Sequence, residues 1–239
     1  MNKSLFIPEI GKICIVAGHY GSGKTNIAVN LAIAAKHAYP DKNVCTADLD
    51  IVNPYFRTAD AAEILKKHRI EPLIPEFANS NVDIPSLPAN MMYVMRGEMK
   101  DGIPIIDVGG DDGAVVLGMY SGDIIRSGYE MYYVVNMYRP LISTAENAYL
   151  CMKDIESSSG LRCTKIINNS SLGKETTPAD ILDSVNYAKE CAELCQIPLI
   201  GHTYCTDIVP AAPAYFRKHG AAPDSEDLIP ITNITKKLF

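Results

Sequence analysis

Short apolar runs punctuate the chain at Lys12–Ala17, Val44–Ala47, Met91–Met95, Ile103–Val108, Met131–Asn136, Thr164–Ile167 and Pro198–Gly201. Their near-continuous, β-branched hydrophobicity predicts strands buried on both faces. Amphipathic stretches lie between them. Thr25–His37 carries apolar residues at Ile27, Leu31, Ala34 and Ala35 and cations in its last turn, which predicts a helix. Ser143–Ile155 and Ala179–Cys195 read the same way, the second with Thr177 as N-cap and Pro178 as first helical residue. Strand–helix alternation at this spacing predicts βαβ units and a parallel sheet. The Pro-rich stretch Glu71–Pro88 reads as an irregular excursion, because the alternation resumes after it. One α/β domain is expected for residues 1–239, with its core at about 10–215 and a C-terminal extension at 220–239.

The most informative segment joins the first strand to the first helix. Gly18-His19-Tyr20-Gly21-Ser22-Gly23-Lys24-Thr25 is a complete G-x-x-x-x-G-K-T, with Asn26 following in the helix. Glycines permit a tight loop whose N–H groups point inward at phosphate oxygens, backed by the helix N-terminus. In that reading Lys24 neutralises the β- and γ-phosphates, and the Thr25 hydroxyl ligates Mg²⁺. Two acidic strand ends follow, Asp48-Leu49-Asp50 and Asp107-Val108-Gly109-Gly110. In an open parallel sheet both project to the edge that holds the phosphate loop. Asp107 suits a Mg²⁺ contact through water, the glycines after it suit a γ-phosphate-sensing hinge, and Asp48 or Asp50 suits orientation of an attacking water.

Composition narrows the partners. The 239 residues include 22 Lys+Arg and 28 Asp+Glu, giving a net charge of −6 divided evenly between the two halves. No basic lobe exists to follow a phosphate backbone, so nucleic-acid binding is not expected. Tyr129, Tyr132, Tyr133 and Tyr138 cluster without interleaved cations and read as packing residues. No apolar run reaches the length of a membrane span, and Pro8 and Glu9 interrupt any signal-peptide core. Seven cysteines with no CxxC pair point to free thiols in a reducing cytosol, so a cytoplasmic protein is expected. Cys191 and Cys195, with His202 and Cys205 downstream, read as core-facing thiols rather than metal ligands, as do Cys14 and Cys45.

The phosphate loop on a strand, the D-x-D that ends the next strand (Asp48, Asp50), Asn53-Pro54 and Asp107-Val108-Gly109-Gly110 together resemble the MinD/ParA-type ATPases. The resemblance spans about residues 10–215 and extends to Asn168, where these proteins place an adenine-contacting Asn. It implies a three-layer α/β/α P-loop NTPase fold with a mostly parallel sheet of seven or eight strands. It also implies Mg-ATP as the bound cofactor, slow hydrolysis, a nucleotide-dependent homodimer, and a switch acting on a protein partner. One position departs from the pattern. The family's first loop lysine, which reaches the partner subunit's phosphates, is His19 here. A neutral imidazole supplies no fixed charge at pH 7, and Arg57 or Arg139 is the candidate replacement.

A guanine site ordinarily carries an N/T-K-x-D element. Thr164-Lys165-Ile166-Ile167 lacks its Asp, whereas Asn168 and Asn169 offer amides that donate to and accept from adenine. ATP is therefore expected over GTP. Two alternatives stand beside the switch. One is an ATP-dependent small-molecule enzyme of the dethiobiotin synthetase or cobyrinate amidase type, with an acceptor pocket built from Glu71–Pro88. The other is a non-hydrolysing nucleotide-binding regulator, motivated by His19. The tail Ile231–Phe239 has amphipathic spacing but is too short to hold as an isolated helix, so it is expected to pack back on the domain rather than bind membrane.

Overall fold

A computed structural model of the chain describes residues 7–49, 54–73, 87–219 and 228–234. Eight strands form one sheet in the order β3-β2-β4-β1-β5-β6-β7-β8, and every neighbouring pair is parallel. The strands are β1 (Ile13–Ala17), β2 (Asn43–Asp48), β3 (Glu71–Leu73), β4 (Gly102–Asp107), β5 (Tyr129–Val135), β6 (Lys165–Asn168), β7 (Leu199–Cys205) and β8 (Leu228–Ile231). The helices are α1 (Lys24–Ala38), α2 (Pro54–Lys67), α3 (Ala89–Met95), α4 (Gly110–Met119), α5 (Ser121–Ser127), α6 (Ala145–Ser159), α7 (Pro178–Cys195) and α8 (Ala212–His219).

Both sheet faces are covered, and the period-2 alternation divides the core between them. Ile13, Ile15 and Ala17 of β1 pack with Met131, Tyr133 and Val135 of β5 and with Leu117, Met152 and Cys191 from the helices on that side. Cys14 and Val16 point the other way, joining Ile27 and Leu31 of α1 and Leu65 of α2. Cys14, Cys45, Cys191 and Cys195 are all buried apolar fill, as their positions in strands and an Ala/Leu-rich helix predict. Helix α7 starts as read from its sequence. Thr177 caps it, with its hydroxyl accepting from the Asp180 N–H while the Asp180 carboxylate accepts from the Thr177 N–H.

Two expected elements differ. Met91–Met95 is helical, not extended, because Met91, Val94 and Met95 are the buried positions and their spacing is that of one helix face. A five-residue apolar run is too short for periodicity to separate the two cases. The excursion from Glu71 opens with a true strand, β3, beside β2 at the sheet edge, where Pro72 is tolerated; residues 74–86 lie outside those described. Strand β7 runs past Gly201, its polar His202 and Thr203 being buried within the sheet. The expected return of the tail onto the domain holds as far as Ile234, which is buried against the α1 side of the sheet; residues 235–239 are outside the described range. Among the described residues, no helix is long and apolar enough to cross a membrane.

The sheet order sets the site. From β1 the chain passes to β2–β4 on one side and then to β5–β8 on the other, so the crevice beyond the carboxyl end of β1 is the topological switch point.

Candidate functional site

The phosphate loop occupies that switch point. Gly18, Gly21 and Gly23 have φ of 152°, 76° and 92°. A Cβ on Gly18 would lie 2.5 Å from the Val134 carbonyl oxygen, and one on Gly23 would lie 2.2 Å from the Asn169 amide nitrogen and force that side chain aside. Gly23 is also the residue that precedes α1, and no side chain caps that helix end, so its first N–H groups face the loop's interior. The Lys24 ammonium, buried to 5% exposure, donates to the His19 carbonyl across the loop at 3.1 Å. Ser22 is fully buried and, among the described residues, its hydroxyl has no hydrogen-bond partner. His19 is half-buried, with Nδ1 2.8 Å from the Tyr20 carbonyl oxygen, and the Tyr20 ring is exposed.

A cleft of about 420 Å³ opens beside the loop and is lined at one end by Gly21 through Asn26. Among the described residues, three cations border it: Lys24, Arg139 and Lys174. The Arg139 guanidinium lies directly over Gly21, where a Cβ would be 3.2 Å from its Nε. Beyond the loop the lining mixes apolar Ile181, Ile208, Val209 and Ile231 with polar residues that include Asn136, Asn169 and Asn233. The described lining includes no carboxylate.

Asn168, expected to contact the base, does not line this cleft. As the last residue of β6 its side chain turns into the sheet and α7, and it is only 1% exposed. Its amide nitrogen lies 2.8 Å from both the Ser184 hydroxyl and His202 Nδ1, and its oxygen accepts from the Ser170 N–H and hydroxyl at 3.1 and 2.7 Å. Burial, with a smaller contribution from Lys189, pushes the His202 pKa down to about 4, so its neutral ring accepts the Asn168 N–H. The next residue faces the other way. Asn169 donates through Nδ2 to the Ser22 carbonyl at 2.7 Å and accepts from the Thr203 hydroxyl at 2.5 Å. Alternation along the strand end is the signal that separates the two asparagines, one turned to the core and the other to the phosphate loop.

A second, smaller cavity of about 20 Å³ is lined by Thr25, Asp48 and Asp107 with further residues from α1, β2, α2 and β3. That volume suits one ion or water. Asp48 and Asp107 are direct neighbours in the β2–β4 ladder, so both carboxylates leave the sheet at the same level. Thr25 alone among these three lines both the cleft and this cavity. Asp50 and the side chains of Arg57, Asp111 and Asp112 lie outside the described residues.

No known protein family and no curated protein matches this sequence. Solved structures do match. Chloroplast FtsY from Physcomitrella patens aligns over 90% of this chain and 60% of its own, with 14% identity and a TM-score of 0.53. FtsY from Mycoplasma mycoides aligns over 81% and 61%, with 16% identity and a TM-score of 0.50. The chain therefore spans less than two thirds of the length of these FtsY structures. At such identities the likeness is one of fold: an α/β P-loop NTPase architecture on a parallel sheet. It does not single out the MinD/ParA group within that architecture.

Proposed function

We propose that this chain is a Mg-ATP-dependent P-loop ATPase resembling MinD/ParA proteins, acting as a nucleotide-dependent switch on a protein partner and pairing with a second copy when ATP is bound. The observation that carries the reading is the loop itself. Glycine-only backbone, an uncapped helix end and a buried lysine converge on a space bordered by two further cations. Such a space favours a polyanion, and its length beyond the loop leaves room for a nucleoside.

Lys24 would shift from the His19 carbonyl to the β- and γ-phosphate oxygens, a charge-assisted bond stronger than the neutral one it replaces. Thr25 and Asp107, which share the small cavity with Asp48, fit a Mg²⁺ site, and the ion there would neutralise charge developing on the transferred phosphoryl group. Asp48 or Asp50 would orient the attacking water. Arg139 over Gly21 supplies in the same subunit a charge near that which His19 lacks. Adenine is favoured over guanine because the sequence lacks the N/T-K-x-D element and the described cleft lining holds no carboxylate to accept from guanine's N1 and N2 donors.

The switch reading rests on α4. It begins at Gly110, directly after Asp107-Val108-Gly109, and packs backbone against backbone. A Cβ on Gly113 would lie 3.0 Å from the Leu49 carbonyl oxygen, and one on Gly118 would lie 2.8 Å from that of Ser158 in α6. In this reading a shift at the strand ends would be passed to α6 with little side-chain slack. Light scattering with ATP, with ADP and without nucleotide, paired with phosphate release from ATP and GTP, tests the proposal. ATP-dependent pairing and slow, ATP-selective release are expected. A monomer under all conditions would remove the pairing, and GTP-selective release would remove the assignment of the base.

A further inference from the structure

Helix α1 carries two asparagines one turn apart, Asn26 in its first turn and Asn30 in its interior, where asparagine is a poor helix former. Both are used on the segment that follows β8. Asn30 accepts the Thr232 N–H at 2.9 Å and donates to the Thr232 carbonyl at 3.0 Å, so one side chain satisfies both backbone groups of that residue. Its second amide hydrogen goes to the Asn26 carbonyl at 2.8 Å, which fixes the plane of the amide. Asn26 in turn accepts the Ile234 N–H at 2.9 Å. From the other side, the Ile231 carbonyl accepts from the Thr206 N–H at 2.9 Å, and Ile234 is buried.

The segment Ile231–Ile234 is therefore held in one path along the flank of α1. Along it, Ile231 and Asn233 line the cleft, while Thr232 between them is turned outward and exposed. Asn26, one residue beyond Thr25, lines the same cleft. The two clamping asparagines thus bring a residue from the far end of the chain into a wall that the phosphate loop begins.

We infer that Asn233 is a nucleotide-binding residue of this cleft, contacting the nucleoside half of a nucleoside triphosphate, with Asn26 and Asn30 as its positioning residues. The inference rests on the nucleotide reading above and adds to it the C-terminal wall. Ile231 and Asn233 give that wall an apolar surface followed by an amide, which suits a base or ribose edge. The phosphates, gathered at the loop by Lys24 and Arg139, are not its target.

Calorimetric titration of the full chain with Mg-ATP and with magnesium tripolyphosphate separates the two halves of the ligand. Asn233→Ala should weaken Mg-ATP binding by about 3- to 10-fold, the loss of one hydrogen bond, and leave tripolyphosphate unchanged. Asn30→Ala, at a partly exposed position that keeps Asn233 in the sequence, should give the same pattern by releasing the clamp. It serves alone if Asn233→Ala does not fold. Unchanged Mg-ATP affinity in the variants, or an equal loss for both ligands, would overturn the inference. If the unaltered protein bound neither ligand, the nucleotide reading itself would fall.

Discussion

Asn169 and Ser22 are joined by a 2.7 Å hydrogen bond from side-chain amide to loop carbonyl, across 147 residues of sequence. The bond ties the loop after β6 to the phosphate loop, and Thr203 of β7 holds the other end of the Asn169 amide. Asn169→Ala removes the partner of two buried groups, at about 1–3 kcal/mol each. We expect a lower denaturation midpoint and nucleotide affinity reduced by about 10-fold or more, read by urea titration and calorimetry on the same sample.

Gly23→Ala should be more severe for binding than for folding. A left-handed alanine costs about 1–2 kcal/mol, and its methyl group would displace the Asn169 amide. Thermal denaturation should show at least the loss expected for Asn169→Ala, because the displaced amide gives up the same Ser22 and Thr203 contacts, and ATP should give no measurable heat. A variant that bound ATP normally would mean that the loop geometry is not what gathers phosphate.

Arg139→Ala tests whether charge over Gly21 matters. The expected result is weaker Mg-ATP binding by about 10-fold, with Arg139→Lys recovering part of it. Because the guanidinium is exposed, raising ionic strength should shrink the difference between variant and parent.

The buried His202 gives a pH dependence with a defined sign. Its folded pKa of about 4 lies below the ordinary value of 6.5, so the unfolded chain binds the proton more readily than the native one. Stability is unaffected by this group above about pH 7 and falls as pH drops from about 6.5 to 4, by a total of about 3 kcal/mol. Urea denaturation at pH 7 and pH 4 should show that loss, and His202→Gln should flatten it.

What was legible in the sequence was local. The strand before the phosphate loop, the helix after it and the Thr177 cap of α7 each depend on residues a few positions apart, and all three formed as read. Which of Asn168 and Asn169 lines the cleft depends on where β6 ends, because one step along a strand turns a side chain from the core to the loop. The run Met91–Met95 was too short to reveal its period. Asn233 was not legible at all. Its place in the cleft depends on Asn30 holding Thr232, a contact 202 residues apart, and nothing near either residue announces it.

The central claim is that Lys24 and its loop bind a nucleoside triphosphate. Calorimetric titration of Mg-ATP into the purified chain and into Lys24→Ala tests it most directly. Saturable one-to-one binding by the parent, lost or reduced by about 100-fold in the variant, is the predicted result. Equal affinity in the two proteins, or no binding by a folded parent, would contradict it.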